Sequence, residues 1–242
     1  MNFYVGLHQP SDAGHFDRCM VSVARLRSRR SDFAVNEWMM DSGAFMELKV
    51  HGAYRDSVSA YAAQIKRWKS CGALVAAVAQ DYMCEPFILN ITGMDVTTHQ
   101  RLTIERYDAL LAEQTGAYIL PVLQGYRPFE YADHIRQYGA RLTQGAWVGV
   151  GSVCKRNGSP AAIRDVLYTI ARDRPDLRLH GFGLKKTAMS SAVVRSLLYS
   201  ADSMAWSMAA RREGRNANSY REARQYDRKV AGHIDDLPMF QL

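Results

Sequence analysis

The chain has 242 residues, with 31 Lys and Arg against 24 Asp and Glu for a formal net charge of +7, and with 48% hydrophobic and 23% charged residues. That length and balance suit one barrel-sized globular domain and exclude a disordered or collagen-like chain. No apolar stretch reaches the roughly 18 residues of a membrane span, so no membrane partner is expected.

The start, Met1-Asn2-Phe3-Tyr4-Val5-Gly6, lacks the basic and apolar regions of a secretion signal, and a cytoplasmic protein is expected. Cys19, Cys71, Cys84 and Cys154 are scattered singly, without the paired spacing of a zinc site or a disulfide framework, and read as reduced thiols. The positive charge admits an anionic partner, but a solvated surface excess gives the same value, so the positions of the charges must decide.

In chain order, a strand is predicted from Phe3 to Leu7, then a helix from Asp12 to Ser28, a strand from Trp38 to Asp41, a helix from Tyr54 to Cys71 and a strand from Leu74 to Gln80. A helix from Val96 to Gln114 leads to a strand from Tyr118 to Leu123, a helix from Pro128 to Tyr138 and a strand from Trp147 to Val150. The series continues with a helix from Pro160 to Asp173, a strand from Leu177 to Phe182, a helix from Ser190 to Arg195 and a strand from Leu197 to Ala201. This alternation implies a mostly parallel α/β core, either a TIM-like (β/α) barrel or a doubly wound sheet, and the barrel is preferred. With seven visible strands, the barrel is either open or closed by another segment.

No repeat, low-complexity tract or linker divides the chain, so residues 1–242 read as a single barrel domain with a basic C-terminal extension over about 211–242. That extension carries Arg211, Arg212, Arg215, Arg221, Arg224, Arg228 and Lys229, and reads as a loop followed by an exposed helix. Leu237-Pro238-Met239-Phe240 is expected to pin its end onto the body.

Function in such a barrel resides at the strand tips. Asp41-Ser42-Gly43-Ala44-Phe45 ends one strand, where Gly43 allows a sharp turn; a turn Asp before Gly is also common for purely structural reasons. Asp81 follows the next strand as a second carboxylate or as a helix N-cap. Gln124 offers both a donor and an acceptor to a base edge. Gly149 and Gly151 permit either close approach of a flat ligand to backbone N–H groups or close packing. His180 stands before Gly181-Phe182-Gly183, and Asp202 ends the last strand.

Taken in order, Asp41-Ser42-Gly43-Ala44-Phe45, Gln124-Gly125 and Asp202-Ser203 resemble the signatures of the queuine-type tRNA-guanine transglycosylase superfamily. The resemblance covers roughly Phe3 to Arg212 and is greatest to the archaeal enzymes and to the small phage and bacterial enzymes that place 7-deazaguanines into DNA. The distance from Asp202-Ser203 to Arg211 is similar to the archaeal Asp-Ser to Arg spacing. A second alignment, on the bacterial Asp-Met-Phe-Asp pattern, would put Ala205 at the nucleophile column; the first is preferred because it keeps a carboxylate there.

This resemblance implies an enzyme that exchanges guanine for a 7-deazaguanine such as 7-cyano-7-deazaguanine (preQ0). Asp202 is then the nucleophile that forms a covalent sugar intermediate, and Asp41 the group that handles protons. Asp81, Gln124 and the backbone around Gly149 and Gly151 would read the guanine edge, with Phe45 and His180 sandwiching the base. His180 departs from the family's Met or Phe, and Met46 from its Gln. No Cys follows Cys154, so the family's zinc-binding subdomain has no counterpart; neither metal nor cofactor is expected.

The family's first barrel strand has no visible match, and the RNA-binding domains of the archaeal enzymes are missing. DNA is therefore the expected polymer, with a free 7-deazaguanine base as second substrate and tRNA as the alternative. A catalytically silent base or nucleic-acid binding module is the reading from another class, and a homodimer is an arrangement compatible with either. Lys155, Arg156, Lys185, Lys186, Arg211, Arg212 and Arg215 follow strand tips and would bind phosphates, or else form a solubilising rim.

Overall fold

A computed structural model describes residues 1–156 and 158–235. Its core is a single all-parallel sheet of nine strands: β1 (Asn2–Leu7), β2 (Arg18–Ser22), β3 (Glu37–Asp41), β4 (Ala73–Val78), β5 (Ile119–Leu120), β6 (Val122–Leu123), β7 (Trp147–Val150), β8 (Arg178–Gly181) and β9 (Ser200–Ser203). The spatial order is β5-β4-β3-β2-β1-β9-β8-β7-β6. The two end strands adjoin in sequence, separated only by Pro121, which has no N–H for the ladder. One flank of this run accepts Ala79 N–H at Leu120 O (3.0 Å), and the other accepts Gly149 N–H at Pro121 O (2.8 Å). Residues 119–123 thus act as one strand shared by both ends of the sheet, and eight strand segments complete a (β/α) barrel.

The helices are α1 (Ala44–His51), α2 (Val58–Trp68), α3 (Pro86–Thr92), α4 (Val96–Ala112), α5 (Pro128–Tyr138), α6 (Pro160–Asp173), α7 (Lys186–Met189), α8 (Ala192–Ser196), α9 (Ala205–Arg212) and α10 (Tyr220–Asp235). None is long and apolar enough to cross a membrane among the described residues.

The sequence reading mistook one segment and passed over the helices α1, α3, α7 and α9. The predicted helix from Asp12 to Ser28 is two 3-10 turns around β2, and β2 supplies the eighth strand segment that the seven-strand expectation lacked. Cys19, Met20 and Val21 are buried on both faces of the sheet, so no polar alternation marked the strand. The basic extension is also more integrated than an exposed helix. Ala223 and Val230 of α10 are fully buried in the same core as β1, with Tyr226 packed against it. Residues 237–240 lie outside the described residues.

Side chains alternate across the wall with period two. Tyr4, Met20, Met39, Ala76, Leu120, Val122 and Trp147 point into the barrel and form one cluster. Their neighbours Val5, Cys19, Val21, Trp38, Met40, Ala77 and Leu123 point outward beneath the helices. One inward step beyond that layer lie Gly6, Ser22, Asp41, Val78 and Gln124; these, with Gly151 two inward steps past Trp147 and with Phe182 and Asp202, line a cavity at the C-terminal mouth. Strand parity thus brings Asp41, Gln124 and Asp202 together, while Asp81 joins them from the segment that follows β4.

Candidate active site

The cavity has a volume of about 230 Å³. This lies below the roughly 300–1,000 Å³ of drug-sized sites and suits a single flat heterocycle. Its wall includes Asp41, Asp81 and Asp202, along with Gln124, Gly151 and Phe45.

Asp41 is held at the end of β3 by the Gly43 N–H, which donates to Oδ2 at 3.2 Å, and by the Ser22 side chain. Gly43 has φ +77°, a left-handed turn that lets α1 start immediately beyond the strand. Burial raises the Asp41 pKa, and the nearby Asp202 charge adds to it against the hydrogen bonds from Ser22 and Gly43.

Asp81 does not cap a helix, since the residue preceding α3 is Glu85. Its backbone carbonyl accepts the Tyr54 hydroxyl at 2.9 Å, while its Oδ2 accepts the Gln124 Nε2–H group. Burial pushes its carboxyl up to about 7, opposed by the Gln124 hydrogen bond and reinforced by Asp41. Gln124 is fixed in turn: its Oε1 lies 2.8 Å from Ser152 Oγ, and its backbone N–H donates to His134 Nδ1 at 2.8 Å. Burial lowers His134 to about 3, keeping that nitrogen an acceptor, and Nε2–H donates to Gln100 O at 3.1 Å. Glu85, 1% exposed, meets Ser152 Oγ at 3.0 Å, and burial raises its pKa.

Asp202 lies in β9 with its carboxylate on the cavity wall. Oδ1 accepts Gly183 N–H at 3.0 Å and lies 3.3 Å from His180 Nε2, whereas Oδ2 has no protein hydrogen bond among the described residues. Ala205, the other candidate for the nucleophile column, begins α9 and does not line this cavity.

Two expectations need correction. His180 is fully buried and does not reach the cavity; it points inward one layer below the mouth, so it cannot stack on a base held there. Phe182, two residues on, occupies the wall instead and joins Phe45 as its second aromatic ring. Gly149 and Gly151 do not offer backbone N–H groups, because these donate to Pro121 O and Leu123 O at 2.8 and 2.9 Å within the sheet. The glycines make room instead: a Cβ on Gly149 would stand 2.4 Å from the Phe182 ring, and one on Gly151 would stand 2.1 Å from Gln124 Nε2.

The basic residues fall into two groups. Lys155 and Arg156 flank the mouth, with Lys155 Nζ 4.9 Å from the Phe45 ring centroid. Lys185, Lys186, Arg212 and Arg215 line a separate cavity of about 290 Å³ beside α9 and α10. Arg215 is engaged by Glu213 at 2.5 Å and by Glu222, and Arg211 is exposed and lines neither cavity. Sequence reasoning missed Ser22, Ser152, Cys154 and Phe182 on the wall. Only Phe182, between two glycines at a strand tip, carried a local signal. Cys19, Cys71 and Cys84 are buried free thiols.

A family model described as DpdA, DeoxyPurine in DNA protein A, matches residues 1–221. No curated protein matches the chain. The family match spans all nine strands, the three aspartates and Gln124.

Proposed function

The chain belongs to the DpdA family of DNA 7-deazaguanine transglycosylases, relatives of the tRNA-guanine transglycosylases, and we propose from that premise that it replaces guanine in DNA with a 7-deazaguanine such as preQ0. The observation that carries this reading is the convergence of Asp41, Asp81, Asp202 and Gln124 on one cavity with room for a heterocycle.

In this reading Asp202 Oδ2, the oxygen without a protein hydrogen bond, attacks C1′ of the guanosine as the C1′–N9 bond breaks. A carboxylate suits a carbon that becomes cation-like, because it stabilises the charge and then captures it. Asp41, whose raised pKa favours a held proton, gives that proton to the departing guanine. The incoming deazaguanine returns a proton to Asp41 as its N9 attacks C1′ and releases Asp202. Two displacements leave the glycosidic configuration unchanged.

Asp81, when ionised, accepts hydrogen bonds from N1 and the exocyclic amine of a guanine-like edge, with the Gln124 amide serving O6. Adenine leaves those buried groups unpaired, which discriminates strongly against it. Phe45 and Phe182 flank the base. The target nucleotide must be extruded or single-stranded, since neither C1′ nor the purine edge is reachable in a closed duplex.

The test is release of labelled guanine from DNA and from tRNA in the presence of preQ0, followed by nucleoside mass spectrometry. DNA exchange with preQ0 incorporated is expected. Exchange on tRNA alone would transfer the reading to that polymer, and no exchange by the folded protein on either would end it.

A further inference from the structure

Beside the cavity at the barrel mouth, and sharing Phe45 with it, lies a second pocket of about 510 Å³ lined by Phe45, Lys49, Glu85, Phe87, Tyr126 and Lys155. We propose that this pocket holds the nucleotide next to the reacting guanosine, stacking its base on Phe87 and Tyr126 and pairing its phosphate with Lys155. The proposal rests on the DNA transglycosylase reading and adds to it a subsite that grips the strand outside the reaction centre.

Two independent features support this occupant. The first is exposed aromatic surface. Phe87 and Tyr126 are 36% and 37% exposed, and Phe87 meets Phe45 edge-on with centroids 6.4 Å apart. A large apolar ring left in water beside a base-sized cavity is what a stacking platform for unpaired bases requires.

The second is cationic charge held against those rings. Lys155 Nζ lies 4.9 Å from the Phe45 centroid and 5.4 Å from that of Phe87, and Lys49 Nζ lies 5.4 Å from Phe45. Neither lysine forms an ion pair among the described residues. The Arg156 guanidinium lies 4.4 Å over Tyr126 and adds its positive charge behind that ring. The acid on this wall, Glu85, is 1% exposed and turned to Ser152, so the pocket presents net positive charge. Phe45 borders both cavities, so one ring is shared by the two.

The experiment uses the full chain and single-stranded oligonucleotides with one guanine, read by guanine exchange and by fluorescence anisotropy. Phe87→Ala and Tyr126→Ala should each raise the KM for the oligonucleotide about five- to a hundredfold with kcat nearly kept, and weaken anisotropy binding by the same factor. An abasic residue beside the guanine should impose the same loss on the wild-type protein and add little in Phe87→Ala. Lys155→Met should lower the salt slope of binding by about one. Thermal melts check that these surface variants fold. If the wild-type protein exchanges guanine and both aromatic variants match it, the subsite is overturned while the activity stands. If the wild-type protein exchanges nothing, the activity reading fails and anisotropy alone decides: unchanged oligonucleotide affinity in Phe87→Ala overturns the subsite, and a loss of the stated size supports it.

Discussion

His180 Nε2 stands 3.3 Å from Asp202 Oδ1, beneath the floor of the cavity at the barrel mouth. The ring is oriented from behind: Trp147 Nε1–H donates to Ser200 Oγ at 2.9 Å, leaving the Ser200 hydroxyl to donate to His180 Nδ1, also at 2.9 Å. That order fixes the Nε2–H tautomer and aims its proton at Asp202. One carboxylate oxygen is thereby tethered by His180 and Gly183, and the other, without a protein hydrogen bond among the described residues, is the one the proposed mechanism uses. His180→Phe keeps the ring volume and removes the donor. A hydrogen bond to a charged group supports a loss of about ten- to a hundredfold in kcat, with KM for the base held. Unchanged kcat would reduce His180 to packing.

Asp202 and Asp41 should separate on a denaturing gel. Asp202→Ala is expected to form no covalent DNA adduct, and an adduct in that variant would assign the nucleophile to another residue. Asp41→Asn keeps the shape but cannot shuttle a proton, so exchange should fall about 10²- to 10⁴-fold while guanine binding survives. Equal loss of binding would recast Asp41 as a base reader.

The glycine contacts give a prediction opposite to a backbone-donor role. Gly151→Ala would drive Gln124 off its bonds to Asp81 and Ser152, since the new Cβ would stand 2.1 Å from Nε2. Base affinity should drop about tenfold or more, and stability by about 1–3 kcal/mol. Gly149→Ala instead presses on the Phe182 ring, so its loss should be recovered by the double variant Gly149→Ala with Phe182→Leu. No recovery would sever that link.

How much of this was legible depended on the type of signal. Asp41, Gln124 and Asp202 could be located because unusual polar residues end apolar runs, and the order of those tips resembled a known family. Three barrel features left no such trace. A strand buried on both faces, as β2 is, shows no alternation, and losing it also concealed Ser22. The function of Gly149 and Gly151 belongs to Phe182 and Gln124, which lie 33 and 27 residues away in sequence and touch them only in the closed barrel. Whether His180 or Phe182 faces the ligand depends on which inward layer forms the floor, which is a property of the whole ring.

Asp81 gives the sharpest pH test. In the unfolded chain its carboxyl titrates near 3.8, and in the folded protein burial moves it up to about 7. Because the folded value is raised, the contribution to stability is fully present below the unfolded pKa and is lost as pH climbs through about 7. At roughly 1.4 kcal/mol per unit, holding the ionised form costs the empty protein on the order of a few kcal/mol. Asp81→Asn removes that cost, so its melting temperature should exceed the wild-type value at pH 8, with the gap closing toward pH 4. Guanine makes the opposite demand, since its N1–H and amine need the ionised acceptor. Wild-type affinity for guanine should therefore rise from pH 5 to 8 and then level, while Asp81→Asn binds weakly throughout. A melting gap that ignores pH, or guanine affinity flat across this range, would remove Asp81 from base recognition.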